Sequence, residues 1–251
     1  MNAPFFLRLP VGRKKKLQIF VSFLKITLIF IFYVRLLKRK RTHEYFLGYK
    51  VFAFDYEAIF FLFAEIFFRG EYSFTIIKDS PRIIDCGANI GFATLFFKWM
   101  YPHAIIEAFE PDPITFAILE KNILENKLLN VRLHNSAIAS ENGSITFYID
   151  ANHPGSLIMS SNPERISSNQ ITVSTESLTQ YIDTTIVDFL KLDIEGAEIE
   201  VINHLDSLSL FSSINEMAIE YHHHVGNSSS CLGGFLSTLE RNGYNYQINA
   251  R

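Results

Sequence analysis

From Pro81 onward, short apolar runs alternate with segments in which apolar residues recur at helical spacing. This alternation is typical of βαβ units and predicts an α/β domain over residues 81–251, with a mainly parallel sheet and helices on both faces. Its predicted strands are residues 82–85, 105–109, 131–133, 187–193, 215–222 and 244–249, with a hairpin partner at 144–149 and a short strand at 171–174. Its predicted helices are residues 91–100, a helix capped by Asp112 with Pro113 in its first turn, a short helix at 176–182, the helix that carries Ala197, Val201, Ile202 and Leu205, and residues 232–241.

Residues 42–80 are rich in aromatic side chains and predict a helical lead-in to that domain. Asp55 is placed to cap a helix that stops at Gly70, and its apolar positions are Ile59, Leu62, Phe63, Ile66 and Phe67. Further along the chain, residues 150–170 are polar and contain Pro, Ser and Asn, which predicts a loop.

A basic and apolar segment, residues 1–41, precedes both regions. Its apolar stretch, residues 17–37, is close to the ~20 residues that a membrane span needs. Lys25 near the middle is costly inside a bilayer. The segment is therefore predicted as a helix that spans a membrane, lies at its surface or packs on the domain. Basic residues flank the stretch on both sides: Arg13, Lys14, Lys15, Lys16, Arg35, Lys38, Arg39, Lys40 and Arg41.

The composition narrows the class of protein. The chain has 251 residues, of which 48% are hydrophobic, and a net charge of −3. These values exclude a disordered chain and a globally basic nucleic-acid binder. The two cysteines, Cys86 and Cys231, form no zinc-binding spacing, so a reduced, cytoplasmic setting is the simplest interpretation. The oligomeric state stays open.

The turn after the first predicted strand has the sequence DCGANIG, residues 85–91. A turn from strand into helix lies at the carboxyl ends of the strands, where doubly wound folds bind their ligands. Gly87 allows the backbone to approach a cofactor, Gly91 allows the helix to pack on the strand, and Asp85 offers a carboxylate to a cationic amino-acid group. The spacing is GxxxG and lacks the glycine that admits a pyrophosphate, so the turn favours a cofactor without one.

Glu110 ends the second predicted strand, in the sequence AFEPDP. An acid at that place, about 20 residues after the glycine turn, can accept hydrogen bonds from both hydroxyls of a ribose. Pro111 and Pro113 restrict the turn around it. Glu110 is therefore predicted to hold a nucleoside, and the alternative is an acid at a solvent edge.

Lys191 and Asp193, in the sequence KLDIEGAE, share one face of the fourth strand because they are two residues apart. A lysine inside an apolar strand needs an acidic partner, which Asp85, Asp193 or Glu195 could supply. This group is interpreted either as a buried ion pair or as charge placed beside a reacting centre.

The sequence EYHHH, residues 220–224, closes the fifth strand. Only His222 and His224 share a face in an extended chain, and no acid-rich zinc signature surrounds them, so no metal site is predicted. Because histidine titrates near neutral pH, His222 or His223 is the predicted general base for removing a hydroxyl proton. The alternative is a polar strand end in solvent.

Six motifs in this order resemble the FkbM-type S-adenosylmethionine-dependent methyltransferases: IIDCGANIG, AFEPDP, LEKN, NSAIA, VDFLKLDIEGAE and IEYHH. The resemblance covers about residues 65–250, and the sequence EIFFRGEY at its start resembles the family's lead-in. It implies the class I methyltransferase fold, which is Rossmann-like, and methyl transfer to oxygen, often on sugars or natural products.

By this likeness, the turn formed by Asp85, Gly87, Ala88, Asn89 and Gly91 cradles the methionine part of S-adenosylmethionine. Glu110, with Pro111 beside it, holds the ribose, and Ala137 lies beside the adenine. Asp193 faces the methyl donor and the substrate. The likeness also implies a closing strand-turn-strand pair, of which the sequence shows one clear strand.

The sequence therefore predicts an O-methyltransferase that acts on a saccharide, a glycolipid or a similar small molecule. Its predicted catalytic residues are Asp193, His222 and Lys191, with neither a nucleic acid nor a metal as partner. The catalytic domain is expected in the cytoplasm, with residues 13–41 against a membrane. Two alternatives remain: an NAD-dependent oxidoreductase of related fold, and a truncated, inactive cofactor-binding module anchored at a membrane.

Overall fold

The computed structural model describes residues 5–7, 9–149, 169–182, 185–222 and 231–249. Helix α1 (Arg13–Ile29) follows a short 3-10 turn and continues as a π-helical stretch, Phe30–Leu36. Together they form 24 residues, whose most apolar 18-residue window has a mean hydropathy of 2.2 and is 17% buried. This helix is long and apolar enough to cross a membrane, judged by its length and composition only. The core helix of a soluble protein or a signal sequence meets the same criterion.

The lead-in begins with a hairpin and ends with a helix. Strands β1 (His43–Phe46) and β2 (Tyr49–Phe52) pair antiparallel, and helix α2 (Tyr56–Leu62) continues as a π-helical stretch, Phe63–Phe68. The Asp55 side chain caps α2 by accepting the N–H of Ala58 at 2.8 Å, which confirms the predicted cap. The prediction of a helical lead-in is wrong for the hairpin, because Leu47 and Gly48 both adopt positive φ and close a tight turn that carries only half of the usual Asn-Gly signal.

The described residues from Arg82 onward form two sheets. Their elements are β3 (Arg82–Cys86), α3 (Phe92–Met100), β4 (Ile105–Phe109), α4 (Pro113–Glu125), β5 (Val131–His134), β6 (Ala137–Ala139), β7 (Gly143–Ile149), β8 (Asn169–Ser177), β9 (Val187–Leu192), α5 (Glu198–Ser207), β10 (Ile214–Ile219) and α6 (Leu232–Arg241). Within the described residues, the main sheet is fully parallel in the order β10-β9-β3-β4-β5. In the smaller sheet, β8 lies between β6 and β7.

Alternate residues of the central strand face opposite layers of the fold. Ile83 belongs to a core cluster that includes residues of α1, α2, α3 and α4, whereas Ile84 belongs to one that includes residues of α5 and α6. The predicted parallel sheet with helices on both faces is therefore confirmed. The chain order reverses direction between β3 and β9, so their carboxyl ends form the switch point at which such folds bind ligands.

Several predicted boundaries differ from the structure. Residues 244–249 form no strand; instead the Tyr244 hydroxyl donates to the carbonyls of Phe211 and Ile214, at 2.9 and 2.5 Å. The short helix predicted at 176–182 is a 3-10 turn, Leu178–Tyr181, because β8 extends further than its apolar pattern indicated. The segment predicted as a hairpin partner is β7, which pairs antiparallel with β8. Most of the predicted 150–170 loop lies outside the described residues.

Candidate active site

The turn between β3 and α3 fits closely against its neighbours because two of its residues lack a side chain. Gly87 has φ of 78°, and a Cβ there would lie 1.8 Å from the carbonyl oxygen of Asp193. Gly91 has φ of 92°, and a Cβ there would lie 2.7 Å from a methyl group of Leu119 on α4. Glycine tolerates both the positive φ and the close approach. The turn is thereby pressed against the end of β9.

A buried network of charges lies beneath this turn. The Lys191 ammonium is 3.2 Å from the Asp193 carboxylate and 3.5 Å from that of Asp85, and it donates to the carbonyl of Gly87 at 2.7 Å. Burial lowers the pKa of Lys191, but the two carboxylates outweigh this effect and raise it above its ordinary value. Lys191 therefore stays charged and ties the end of β9 to the turn.

The sequence predicted that Asp85 offers its carboxylate to the cofactor, but in the structure Asp85 does not line the cavity. Its side chain is fully buried, accepts a hydrogen bond from the Thr94 hydroxyl at 2.7 Å and pairs with Lys191. Its expected role as a partner for a cofactor's amino group is corrected accordingly, because its carboxylate already serves the charge network. Gly91 is likewise a packing residue, since it contacts α4 rather than the cavity.

Glu110 follows β4 with its carboxylate held by two backbone N–H groups. Asn89 donates to one oxygen and Asp112 to the other, both at 2.9 Å, while the side chain of Asp112 caps α4. Burial raises the pKa of Glu110 to about 8, although the two backbone donors favour the ionised form. The carboxyl group is thus fixed in orientation at the rim of the sheet.

A cavity of about 290 Å³ opens above the carboxyl ends of β3, β4 and β9. Several residues of its wall were predicted from the sequence: Gly87, Ala88, Asn89, Glu110, Pro111, Ala137, Lys191 and Asp193. The structure therefore brings together most of the predicted site. A partly apolar cavity with an oriented acid in its wall fits a nucleoside cofactor that lacks a pyrophosphate.

His222 lies just after β10, between two carboxylates. Its Nδ1 is 2.9 Å from Glu198 and its Nε2 is 3.3 Å from Glu195. Burial lowers the pKa of His222, but Glu198 and Glu195 more than offset it and raise the pKa to about 9. The ring is therefore an imidazolium at neutral pH, with both nitrogens engaged. His223 and His224 lie outside the described residues.

Glu198 fixes the local geometry of this histidine. It is buried and accepts the backbone N–H groups of Ile194 and Gly196, at 3.2 and 3.1 Å. Among the described residues, Asp193, Glu195 and His222 form the group whose ligand atoms, within 4.8 Å of one another, could hold a metal ion. The expectation that no metal is required stays a prediction.

Glu65, Tyr72 and Glu220 are polar wall residues that were not singled out from the sequence. Glu65 and Tyr72 come from the lead-in, and the Tyr72 hydroxyl donates to Asp193 at 3.4 Å. Glu220 comes from the end of β10; desolvation and the carboxylates of Asp193 and Glu71 raise its pKa to about 7, against the opposing charges of His222 and Lys191. The motifs EIFFRGEY and IEYHH contain these residues, but neither motif indicates which side chain faces the cavity.

Comparison with known proteins places the chain in a family. The model of the methyltransferase FkbM domain matches residues 85–246, which is more than half of the chain. The chain belongs to the FkbM methyltransferase family. Its domain is thus an S-adenosylmethionine-dependent methyltransferase of class I fold, and the match disfavours an NAD-dependent oxidoreductase.

Two relatives identified by sequence agree with this assignment. "Methyltransferase 1" of Beauveria bassiana (strain ARSEF 2860) is 30% identical over 172 residues, which cover 58% of this chain and 67% of that protein. The 31-O-demethyl-FK506 methyltransferase FkbM of Streptomyces tacrolimicus is 36% identical over 95 residues, 36% of each chain. The solved structure of methyltransferase FkbM from Methylobacillus flagellatus KT has a TM-score of 0.47 and 17% identity; the match covers 70% of this chain and 41% of that chain.

Proposed function

We propose that this protein transfers a methyl group from S-adenosylmethionine to a hydroxyl oxygen of a small molecule such as a saccharide, a glycolipid or a natural product. The observation that carries the proposal is Glu110, whose two oxygens are oriented by backbone N–H groups at the cavity wall. Each carboxylate oxygen can accept a further hydrogen bond, which suits the two hydroxyls of a ribose. The Streptomyces relative is named a 31-O-demethyl-FK506 methyltransferase, which supports oxygen as the methylated atom.

The cavity wall supplies a partner for each part of the cofactor. Glu110 would hold the ribose, Ala137 would lie beside the adenine, and the Gly87–Asn89 backbone would contact the methionine part. Because Asp85 is occupied by Lys191, Glu65 is the wall acid that we assign to the cofactor's amino group. When bound, S-adenosylmethionine supplies an electrophilic methyl group on a sulfonium.

Transfer to a hydroxyl requires that its proton leave as the new bond to carbon forms. His222 is poorly suited to accept it at neutral pH, because its ring is charged and lies between two carboxylates. We therefore assign the proton to Glu220, which lines the cavity and has a pKa of about 7. Asp193 would orient the acceptor hydroxyl, and Lys191 would position Asp193 and the glycine turn.

The assignment of the base is tested by the pH dependence of methyl transfer from labelled S-adenosylmethionine. Glu220 acts as a base only when ionised, so the rate should rise as the pH increases through about 7. Glu220→Gln should lower kcat by about 10²–10⁴-fold and remove that rise. His222→Gln is the matched comparison and should keep the rise. The opposite pattern would assign the base to His222.

The acceptor is best sought without assuming its identity. Mass spectrometry of glycans and lipids from cells with and without the gene should reveal a species heavier by one methylene when the gene is present.

Assays with a chelator and with added Mg²⁺ would show whether the Asp193, Glu195 and His222 group needs a cation. Binding of S-adenosylhomocysteine without turnover of any acceptor would instead support an inactive cofactor-binding module.

A further inference from the structure

The helix Arg13–Leu36 has two apolar faces, and the domain covers one of them. Ile19, Ile26 and Phe30 are buried in the core cluster that includes residues of α2 and α3. A second stripe faces away from the domain with 45–66% of each side chain exposed: Leu17, Val21, Leu24, Leu28, Ile31 and Leu36. The spacing of four, three, four and three residues, then five through the π-helical stretch, keeps all six on one side. A continuous exposed stripe of this kind marks an interaction surface.

Polar contacts attach the same helix to the domain near its start and its middle. Lys15 donates to the carbonyl of Trp99 at 2.8 Å, near the start. Lys25 lies 2.9 Å from the buried carboxylate of Glu44, in the middle. Aromatic rings add to the attachment, with the centroids of Phe23 and Phe68 4.0 Å apart. The helix therefore lies along the surface of the domain rather than projecting from it.

These contacts are incompatible with a helix that crosses a bilayer. A spanning helix would either bring Glu44 and the backbone carbonyl of Trp99 into hydrocarbon or leave Lys25 without its partner there. Unsatisfied polar groups and charges are strongly disfavoured in the bilayer core. A helix that lies in the interface avoids both costs, because only its exposed stripe enters the apolar region.

Charge is distributed so that one side of the molecule is attracted to an anionic surface. Residues 1–43 contain 11 of the chain's 23 Lys and Arg, and none of its 26 Asp and Glu. The remaining residues contain 12 basic and 26 acidic side chains. Basic residues stand at both ends of the exposed stripe, where Arg13, Lys14, Arg35 and the 38–40 cluster are exposed to solvent.

We propose that the stripe from Leu17 to Leu36 docks on an anionic lipid bilayer, with the helix parallel to the membrane plane. Apolar side chains enter the headgroup boundary, and the flanking lysines and arginines contact anionic headgroups. The acidic remainder of the chain is repelled by the same surface, which keeps the domain on the aqueous side.

This docking places the cavity close to the membrane. Phe60 and Phe68 of the lead-in helix stack on Phe23 of α1, while Leu62 and Ile66 of the same helix line the cavity. One helix thus separates the lipid-facing stripe from the cofactor site. If the methyl transfer proposed above holds, on which this step rests, the acceptor is an amphiphile whose hydroxyl lies at the membrane surface.

Vesicle flotation of the full chain tests the docking without any acceptor. The protein should float with vesicles of phosphatidylcholine and phosphatidylglycerol, and pure phosphatidylcholine or high salt should weaken the binding. Leu24→Gln combined with Leu28→Gln should weaken it at least about tenfold. The matched control combines Leu124→Gln with Leu129→Gln, two exposed leucines elsewhere, and should float like the wild type.

Three results would overturn the proposal. The first is equal flotation of the stripe variant and the control. The second is resistance of the bound protein to extraction with alkaline carbonate, which would indicate a spanning helix. The third is a dimer, detected by light scattering without lipid, that dissociates in the stripe variant, since a second copy would then cover the stripe.

Calorimetry with S-adenosylhomocysteine on the same samples reports cofactor binding separately, so failure of docking and failure of the proposed function are distinguishable.

Discussion

The rim of the sheet and the N-terminal aromatic layer are both buried, but different forces hold them. At the rim, Lys191 pairs with two carboxylates and two glycines allow close contacts with neighbouring elements, so each residue has a specific partner. In the aromatic layer, many rings share the contacts, as when Phe63 stacks on Phe67 at 5.2 Å and meets Phe46 edge-on at 4.8 Å. Single substitutions should therefore lower both stability and function at the rim but only stability in the layer.

The largest effect is expected from Lys191→Met. This change leaves Asp85 and Asp193 without their shared cation in a buried setting, which should lower the free energy of unfolding by about 3–5 kcal/mol. Urea denaturation measures the loss. Lys78→Met is the control. The Lys78 side chain pairs with Asp188 but is half exposed, so this variant should lose about 1 kcal/mol or less of its free energy of unfolding. Equal losses would mean that the rim does not depend on its buried ion network.

Gly87→Ala should have the next largest effect. The new Cβ would overlap the Asp193 carbonyl and would require positive φ, so we expect a loss of about 3 kcal/mol in stability together with loss of S-adenosylhomocysteine binding. Gly233→Ala serves as the matched variant, because no atom lies within 4 Å of its Cβ position in α6. That variant should be neutral or slightly stabilising. A Gly87→Ala protein that binds the ligand normally would contradict the close fit of the turn.

A smaller effect is expected from Phe63→Leu in the aromatic layer. The ring is fully buried but does not line the cavity, so the substitution should lower the free energy of unfolding by about 1 kcal/mol while the affinity for S-adenosylhomocysteine stays unchanged. Denaturation and calorimetry on one preparation measure both quantities. A marked fall in affinity would show that the layer shapes the site directly.

The same contrast explains which features could be predicted from the sequence. Strand ends converge in a parallel sheet, so Glu110 and Asp193 could be placed at one rim from their positions alone, whereas Ala137 was assigned to the site only by the family resemblance. The fate of Asp85 could not, because whether its carboxylate faces the cavity or Lys191 depends on three-dimensional contacts. The same applies to Glu220, which shares its motif with the more conspicuous His222.

The packing of the N-terminal aromatic layer could not be predicted from the sequence for a related reason. Phenylalanines at helical spacing indicate burial but do not specify which rings pack together, so the contact of Phe23 with Phe68 has no signal in the sequence. The hairpin turn at Leu47 and Gly48 likewise lacks the usual Asn-Gly pair. The proposal of surface binding rests on Glu44, whose contact with Lys25 only the folded chain provides.

The central claim, that Glu110 holds the ribose of S-adenosylmethionine in this cavity, is tested most directly by calorimetry with S-adenosylhomocysteine. Glu110→Gln replaces one acceptor oxygen by an NH2 group, which would face a backbone N–H and cannot accept from the ribose, so the affinity should fall by about 10- to 100-fold. Glu107→Gln is the control. Glu107 is a buried acid within β4, but it pairs with Arg132 and His134 and does not line the cavity. Its affinity should match the wild type. Undiminished binding by Glu110→Gln, or an equal loss in both variants, would contradict the account.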